Sequence, residues 1–273
     1  MGVNPKPAAK TELEEPTQRL AVLIDADNAQ ASVIEALLAE IARFGEATVK
    51  RIYGDFTVST SSQWKKVLQH FAIKPVQQFA YTRGKNATDS TLIIDAMDLL
   101  YTRRFDGFCL VSSDSDFTGL ALRIREEGLT VYGFGERKTP EAFRNACHKF
   151  IFTEVLRPIS NQAVDSTVTP GKPSSAKAKA ASGRKSPVRT GEATKDVPIE
   201  FFRQALEQAS DEQGWAHLGT FGSYLTKLRP DFDSRNFGYK KLSDLVRAQD
   251  EIFEIEERIL PDSGNKDLYM RAK

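Results

Sequence analysis

RLAVLIDADN, at Arg19–Asn28, carries five apolar residues, Leu20 to Ile24, directly into Asp25, Ala26, Asp27 and Asn28. A continuous apolar run of this length, followed at once by a helical pattern, reads as a strand buried on both faces of a parallel sheet. Its carboxylates fall where the strand ends. In open α/β sheets that edge is where ligands bind.

Outward from this strand the pattern alternates. Val33, Ile34, Leu37, Leu38 and Ile41 make one helical face over 31–44, with Gly45 placed to end it. Strands are expected at 47–53, 73–79, 107–113, 129–134 and 149–155. Helices are expected at 61–71, 89–101, 117–127 and 140–146, with Thr88 capping the one that begins at Asp89. Strands alternating with helices imply an α/β fold, a parallel sheet with helices on both faces.

Residues 157–197 differ in kind. They are rich in Ser, Ala, Thr, Pro and Gly, and their eight Lys or Arg residues against three acids leave +5. Such a segment buries too little apolar surface to offset its ordering entropy, so a basic flexible linker is expected. It serves either as a solubilising tether or as a salt-sensitive phosphate contact. Residues 1–18 lack the apolar core of a secretory signal and are expected as a disordered tail. From 198 order returns, with helices expected at 199–209, 218–228 and 239–247 and a terminal strand at 252–259. That pattern suggests a small winged-helix-like domain over 198–273.

The 273 residues carry a net charge of +1, which suits a soluble protein with a real core. No apolar run approaches the ~20 residues of a membrane helix, so no membrane partner is expected. The two cysteines, Cys109 and Cys147, form no CxxC pair. A zinc or disulfide framework is therefore not expected, and a reducing cytoplasm is the default location.

Three segments supply acids before residue 150. Asp25 and Asp27 follow the first strand, Asp89 opens a helix with Asp95 and Asp98 farther along it, and Asp114 and Asp116 follow the strand that starts at Gly107. Asn28, Ser112, Ser113 and Ser115 accompany them. Neighbouring parallel strands deliver their C-terminal ends to one crevice, so Asp25 is expected near Asp114 and Asp116. Bare carboxylates there repel, which raises some of their pKa values. Mg²⁺ or Mn²⁺ removes the repulsion and prefers such hard oxygen ligands. None of the three histidines lies beside the acids, which disfavours zinc. Clustered aspartates with such a metal suit phosphodiester cleavage. Arg83 and Lys85 are placed to hold the substrate phosphate. Each acid also has a plainer reading: Asp27 or Asn28 as a helix cap, Asp89 as a favourable first-turn charge, Asp95 and Asp98 as helix-surface or supporting groups.

At LIDADN, KNATDSTLIIDAMD and LVSSDSDF, and again at VYGFGE (Val131–Glu136), the sequence resembles the NYN domain family, a LabA-like branch of the PIN-like nucleases. The likeness covers about 19–156. It implies an α/β/α sandwich and a metal-dependent ribonuclease whose acids are Asp25, Asp89, Asp114 and Asp116, with Asn28 beside the first and Asp95 competing with Asp89 for the middle position. The stretch GWAHLGTFGSYLTKLRPDFDSRNFGYKKLSDLV resembles the OST-HTH or LOTUS module, which implies RNA binding or a protein partner. Lys227, Arg229, Arg235, Lys240 and Lys241 are its candidate phosphate contacts. Tyr224, Phe237 and Tyr239 either stack on bases or pack in the core; Trp215 reads as core.

The expectation is a Mg²⁺- or Mn²⁺-dependent endoribonuclease acting on single-stranded or structured RNA, with a homodimer as one further partner. The rival is a non-catalytic RNA- or protein-binding regulator that retains the acidic pocket. A phosphatase or nucleotide switch fits less well, because DADN lacks the DxDxT/V spacing and no Gly-rich loop follows the first strand.

Overall fold

The computed structural model describes residues 17–57, 62–79, 87–157, 197–259 and 266–273. The expectations for the tail through residue 16, for Arg83 and Lys85, and for 158–196 lie outside the described residues. The chain divides into two compact units, Met1–Thr153 and Glu154–Lys273.

In the first unit β1 (Arg19–Asp25) is followed by α1 (Ile34–Ile41), β2 (Glu46–Gly54), α2 (Ser62–His70) and β3 (Lys74–Gln77). Then come α3 (Ala87–Tyr101), β4 (Gly107–Val111), α4 (Thr118–Glu126), β5 (Thr130–Gly135), α5 (Glu141–Ala146) and β6 (Lys149–Phe152). Six strands pair in the order β3-β2-β1-β4-β5-β6, all parallel. The apolar run of β1 is the centre: Leu20 through Ile24 are all at 0 % exposure. The order reverses between β1 and β4, so the chain builds outward on one side and then on the other. Their carboxyl ends flank the crevice at this switch point.

Strand parity decides which side chains reach that crevice. Ala21 and Leu23 of β1, with Phe108 and Leu110 of β4, pack against Leu92 and Ala96 of α3, Leu120 and Ile124 of α4, and Phe143 of α5. Ala21 pairs with Phe108 and Leu23 with Leu110. The next positions of that parity are Asp25 and Ser112, which therefore turn toward the same helical layer.

The boundaries differ from the sequence pattern in a few places. The helix expected over 31–44 splits into a 3-10 turn (Ala31–Val33) and α1. α3 begins at Ala87, so Thr88 lies inside it and does not cap it. β4 stops at Val111, and β6 gives way after Phe152 to a 3-10 turn (Thr153–Leu156).

The second unit contains α6 (Ile199–Ala209), β7 (Ala216–His217), α7 (Leu218–Leu228), α8 (Leu242–Arg247), β8 (Phe253–Ile259) and β9 (Lys266–Ala272). Its antiparallel sheet runs β7-β9-β8. Phe202, Phe221, Leu225, Leu245, Phe253 and Met270 form its core. The arrangement is winged-helix-like. The strand expected as terminal is followed by β9. In β9 only Met270 is fully buried, so its apolar signal is weak. Tyr239–Lys241 precede α8 and are not helical. Gly238 adopts φ 82°, a left-handed conformation that ends the 3-10 turn Ser234–Phe237. Among the described residues no helix is long and apolar enough to cross a membrane.

Candidate metal centre

Asp25 ends β1 with its side chain fully buried. Its Oδ1 accepts from the Asp27 N–H at 3.0 Å, and its Oδ2 accepts from Asn28 Nδ2 and from the Ser112 hydroxyl, both at 2.7 Å. Burial raises its pKa, against the lowering effect of these donors. A carboxylate offers about four lone-pair sites. Three are used here, and the remaining one is on Oδ1, which accepts only the Asp27 N–H. Asp27 and Asn28 thus organise Asp25. The turn that follows has Gln30 as its N-cap and no side-chain cap.

Asp114 follows β4 and caps the 3-10 turn Ser115–Phe117, its Oδ1 accepting the Asp116 N–H at 2.9 Å. The Asp114 N–H donates to Ser112 Oγ at 3.1 Å. Ser113 Oγ accepts the Glu136 N–H at 2.8 Å, which ties this loop to the end of β5. The two backbones are close here: a Cβ on Gly135 would lie 2.4 Å from the Ser112 carbonyl oxygen. Asp89 stands in the first turn of α3, the helix that crosses from the sheet edge back to β4.

Among the described residues, Asp89, Asp114 and Asp116 each bring one carboxylate oxygen within 4.8 Å of the others. Asp25 lies beside this group without belonging to it. Burial first, and then the charges of Asp25, Asp114, Asp116 and Asp27 in that order, together raise the Asp89 pKa to about 6. Crowded oxygen donors with no histidine or cysteine among them fit a hard divalent cation.

Asp95 does not join the group. It is ion-paired to Arg51 and accepts from the Tyr53 hydroxyl. The middle acid of the cluster is therefore Asp89. Sequence reasoning missed Arg51 and Tyr53. The signal available was an arginine at the same parity as Val49 and Tyr53, a strand face otherwise turned to the core.

In the C-terminal unit the candidate cations separate. Arg235 is bound through Nε and Nη2 to Asp233, the closest approach 2.6 Å. Arg229 lies 3.7 Å from Asp231 and over the Phe201 ring. Lys227 is exposed and over the Tyr224 ring. Lys240 and Lys241 are exposed. Tyr224, Phe237 and Tyr239 pack against the core. Trp215 is buried, with the guanidinium groups of Arg258 and Arg271 each over its ring.

A parallel sheet with acids at its switch point, flanked by helices, defines a PIN-like α/β domain, and a separate winged-helix-like module follows it in the chain. The NYN domain model matches residues 19–156, half of the chain, and the protein belongs to the NYN domain family. The OST-HTH/LOTUS domain model matches residues 192–261. Among solved structures, an uncharacterized protein of Nitrosomonas europaea is 53% identical, with 34% of this chain and 89% of that one covered and a TM-score of 0.30. A Chromobacterium violaceum protein is 32% identical over 29% of this chain and 83% of its own, at a TM-score of 0.24. A Vibrio parahaemolyticus protein of unknown function is 18% identical over 50% and 93%, at a TM-score of 0.43. No curated protein matches the chain.

Proposed function

We propose that the protein is a Mg²⁺- or Mn²⁺-dependent endoribonuclease whose OST-HTH module binds its RNA substrate. The observation that carries this reading is the mutual approach of Asp89, Asp114 and Asp116 at the carboxyl edge of the sheet, in a domain of a PIN-like nuclease family. These three hold the cation. When bound, it supplies activation of a water and stabilisation of charge developing on the phosphodiester. Asp25, fixed by Asn28 and Ser112, keeps a buried negative charge behind them that strengthens the attraction. Ser112 and Ser113 hold the loop that carries Asp114 and Asp116. Lys227, Lys240 and Lys241 contact RNA phosphates, and Arg83 and Lys85, beside Asp89 in sequence, steady the scissile phosphate. One chain carries both domains, so RNA held by the module is concentrated at the acids.

The test is labelled single-stranded RNA incubated with Mn²⁺ or with chelator. Cleavage is expected only with Mn²⁺, and Asp114→Asn and Asp116→Asn each abolish it while leaving the protein folded. If both variants cut at the wild-type rate, the assignment fails. RNA retarded but uncut in both conditions favours the non-catalytic regulator.

A further inference from the structure

The apolar stripe of α3 is broader than the face it buries fully. Leu92, Ala96, Leu99 and Leu100 are buried against the sheet. Ile93 and Met97, about 100° around the helix, are partly buried against the same core, and Ile94 and Tyr101 extend this stripe toward the surface. In that stripe Ile94 is 63% and Tyr101 62% exposed. Apolar burial is non-directional, so a rotation of α3 by about one residue buries a comparable set of side chains. The same rotation moves a Cα on the helix cylinder by about 3.5 Å. It takes the Asp89 carboxylate out of reach of Asp114 and Asp116, whose oxygens lie within 4.8 Å of it in the observed rotation.

What discriminates between the two rotations is a directional contact. Asp95, six residues after Asp89 on the same helix, receives the Arg51 guanidinium and the Tyr53 hydroxyl from β2. Tyr53 is fully buried, and the side chains of Arg51 and Asp95 are only 24% and 21% exposed. In the alternative rotation these groups lose one another in a poorly hydrated place, a far larger penalty than exchanging one isoleucine for another.

We propose that Arg51 and Tyr53, acting through Asp95, set the rotation of α3 and thereby position Asp89 for a divalent cation. All three are positioning residues, and their role toward the cation rests on the metal-centre reading above.

The experiment titrates Mn²⁺ into the full chain by calorimetry and follows amide exchange in α3. It uses the wild type, Asp95→Asn, Ile94→Gln and the double variant, with circular dichroism confirming the fold. Asp95→Asn is expected to weaken Mn²⁺ binding roughly tenfold and to speed exchange in α3. Ile94→Gln alone leaves binding unchanged. The double variant recovers affinity, because the competing face has been made polar. A folded Asp95→Asn protein with wild-type affinity, or a weakened one that Ile94→Gln does not rescue, overturns the proposal. Should Asp95→Asn fail to fold, Tyr53→Phe removes a single hydrogen bond and shows the same changes to a smaller extent; no change there also overturns it. A wild type that binds no Mn²⁺ rejects the metal centre itself. The rotational role is then judged by α3 exchange, and equal exchange in wild type and Asp95→Asn rejects that as well.

Discussion

The Ser112 hydroxyl donates to Asp25 Oδ2 at 2.7 Å, joining residues 87 positions apart across the β1–β4 boundary. Ser112 Oγ in turn accepts the Asp114 N–H at 3.1 Å. One buried hydroxyl therefore couples the acid of one strand end to the acidic loop of its neighbour. Ser112→Ala removes a donor from a buried carboxylate and is expected to destabilise the protein by about 1–3 kcal/mol, read from urea unfolding. The hydrogen bond lowers the Asp25 pKa, so its loss raises a value that burial already holds high. A carboxylate with a raised folded-state pKa loses stability as pH rises from its unfolded value through its folded one. The Ser112→Ala deficit is accordingly larger at neutral pH than in mild acid.

Asp89 makes the opposite prediction. Its pKa stands near 6 against an ordinary 3.8, so at neutral pH its charge opposes folding of the metal-free protein. Asp89→Asn is expected to stabilise the metal-free chain by about 1 kcal/mol at neutral pH, discounted because the group is half exposed. The gain disappears as pH falls through about 6 toward 3.8, where wild-type Asp89 takes up its proton. Thermal melts across pH in the presence of chelator measure it. Stabilisation that persists unchanged in acid contradicts the stated cause.

Asp114 has two jobs that substitutions separate. Its Oδ1 caps the turn Ser115–Phe117, and the side-chain oxygen of asparagine does the same. Asp114→Asn is expected to keep near wild-type stability and lose Mn²⁺-dependent cleavage. Asp114→Ala loses cleavage and about 1 kcal/mol besides. Chemical denaturation of the pair shows the difference.

The C-terminal cations are expected to divide in the same manner. Lys240→Ala with Lys241→Ala weakens RNA binding and lowers the salt slope by about 1.4, at about 0.7 per single-strand phosphate contact. Arg235→Ala removes the guanidinium from Asp233, which keeps only the backbone N–H of residue 235, and costs about 1–2 kcal/mol of module stability. Its effect on the salt slope is small. Anisotropy titrations of labelled RNA over a salt series, beside melts of each variant, distinguish the two groups.

Much of this arrangement is legible in residue order. Leu20–Ile24 runs straight into Asp25 and Gly107–Val111 leads through Ser112 and Ser113 to Asp114, and a doubly covered strand needs such a continuous apolar run. The helical periodicities of α6 and α7 match their observed bounds, because each buries one stripe. β9 escapes the same reading, since a strand that turns only Met270 fully into its core lacks a period to detect.

The amino-acid order by itself determined that acids stand at two strand ends and at a helix start, since strand endings and helix starts depend on neighbours in the chain. Only the tertiary structure decided which of them meet. Asp25 is enclosed by three donors, Asp95 is taken by Arg51 and Tyr53, and Asp89 is left facing Asp114 and Asp116. The physical reason is that a carboxylate's availability is set by the donors packed around it, and those come from strands and helices far away in the chain.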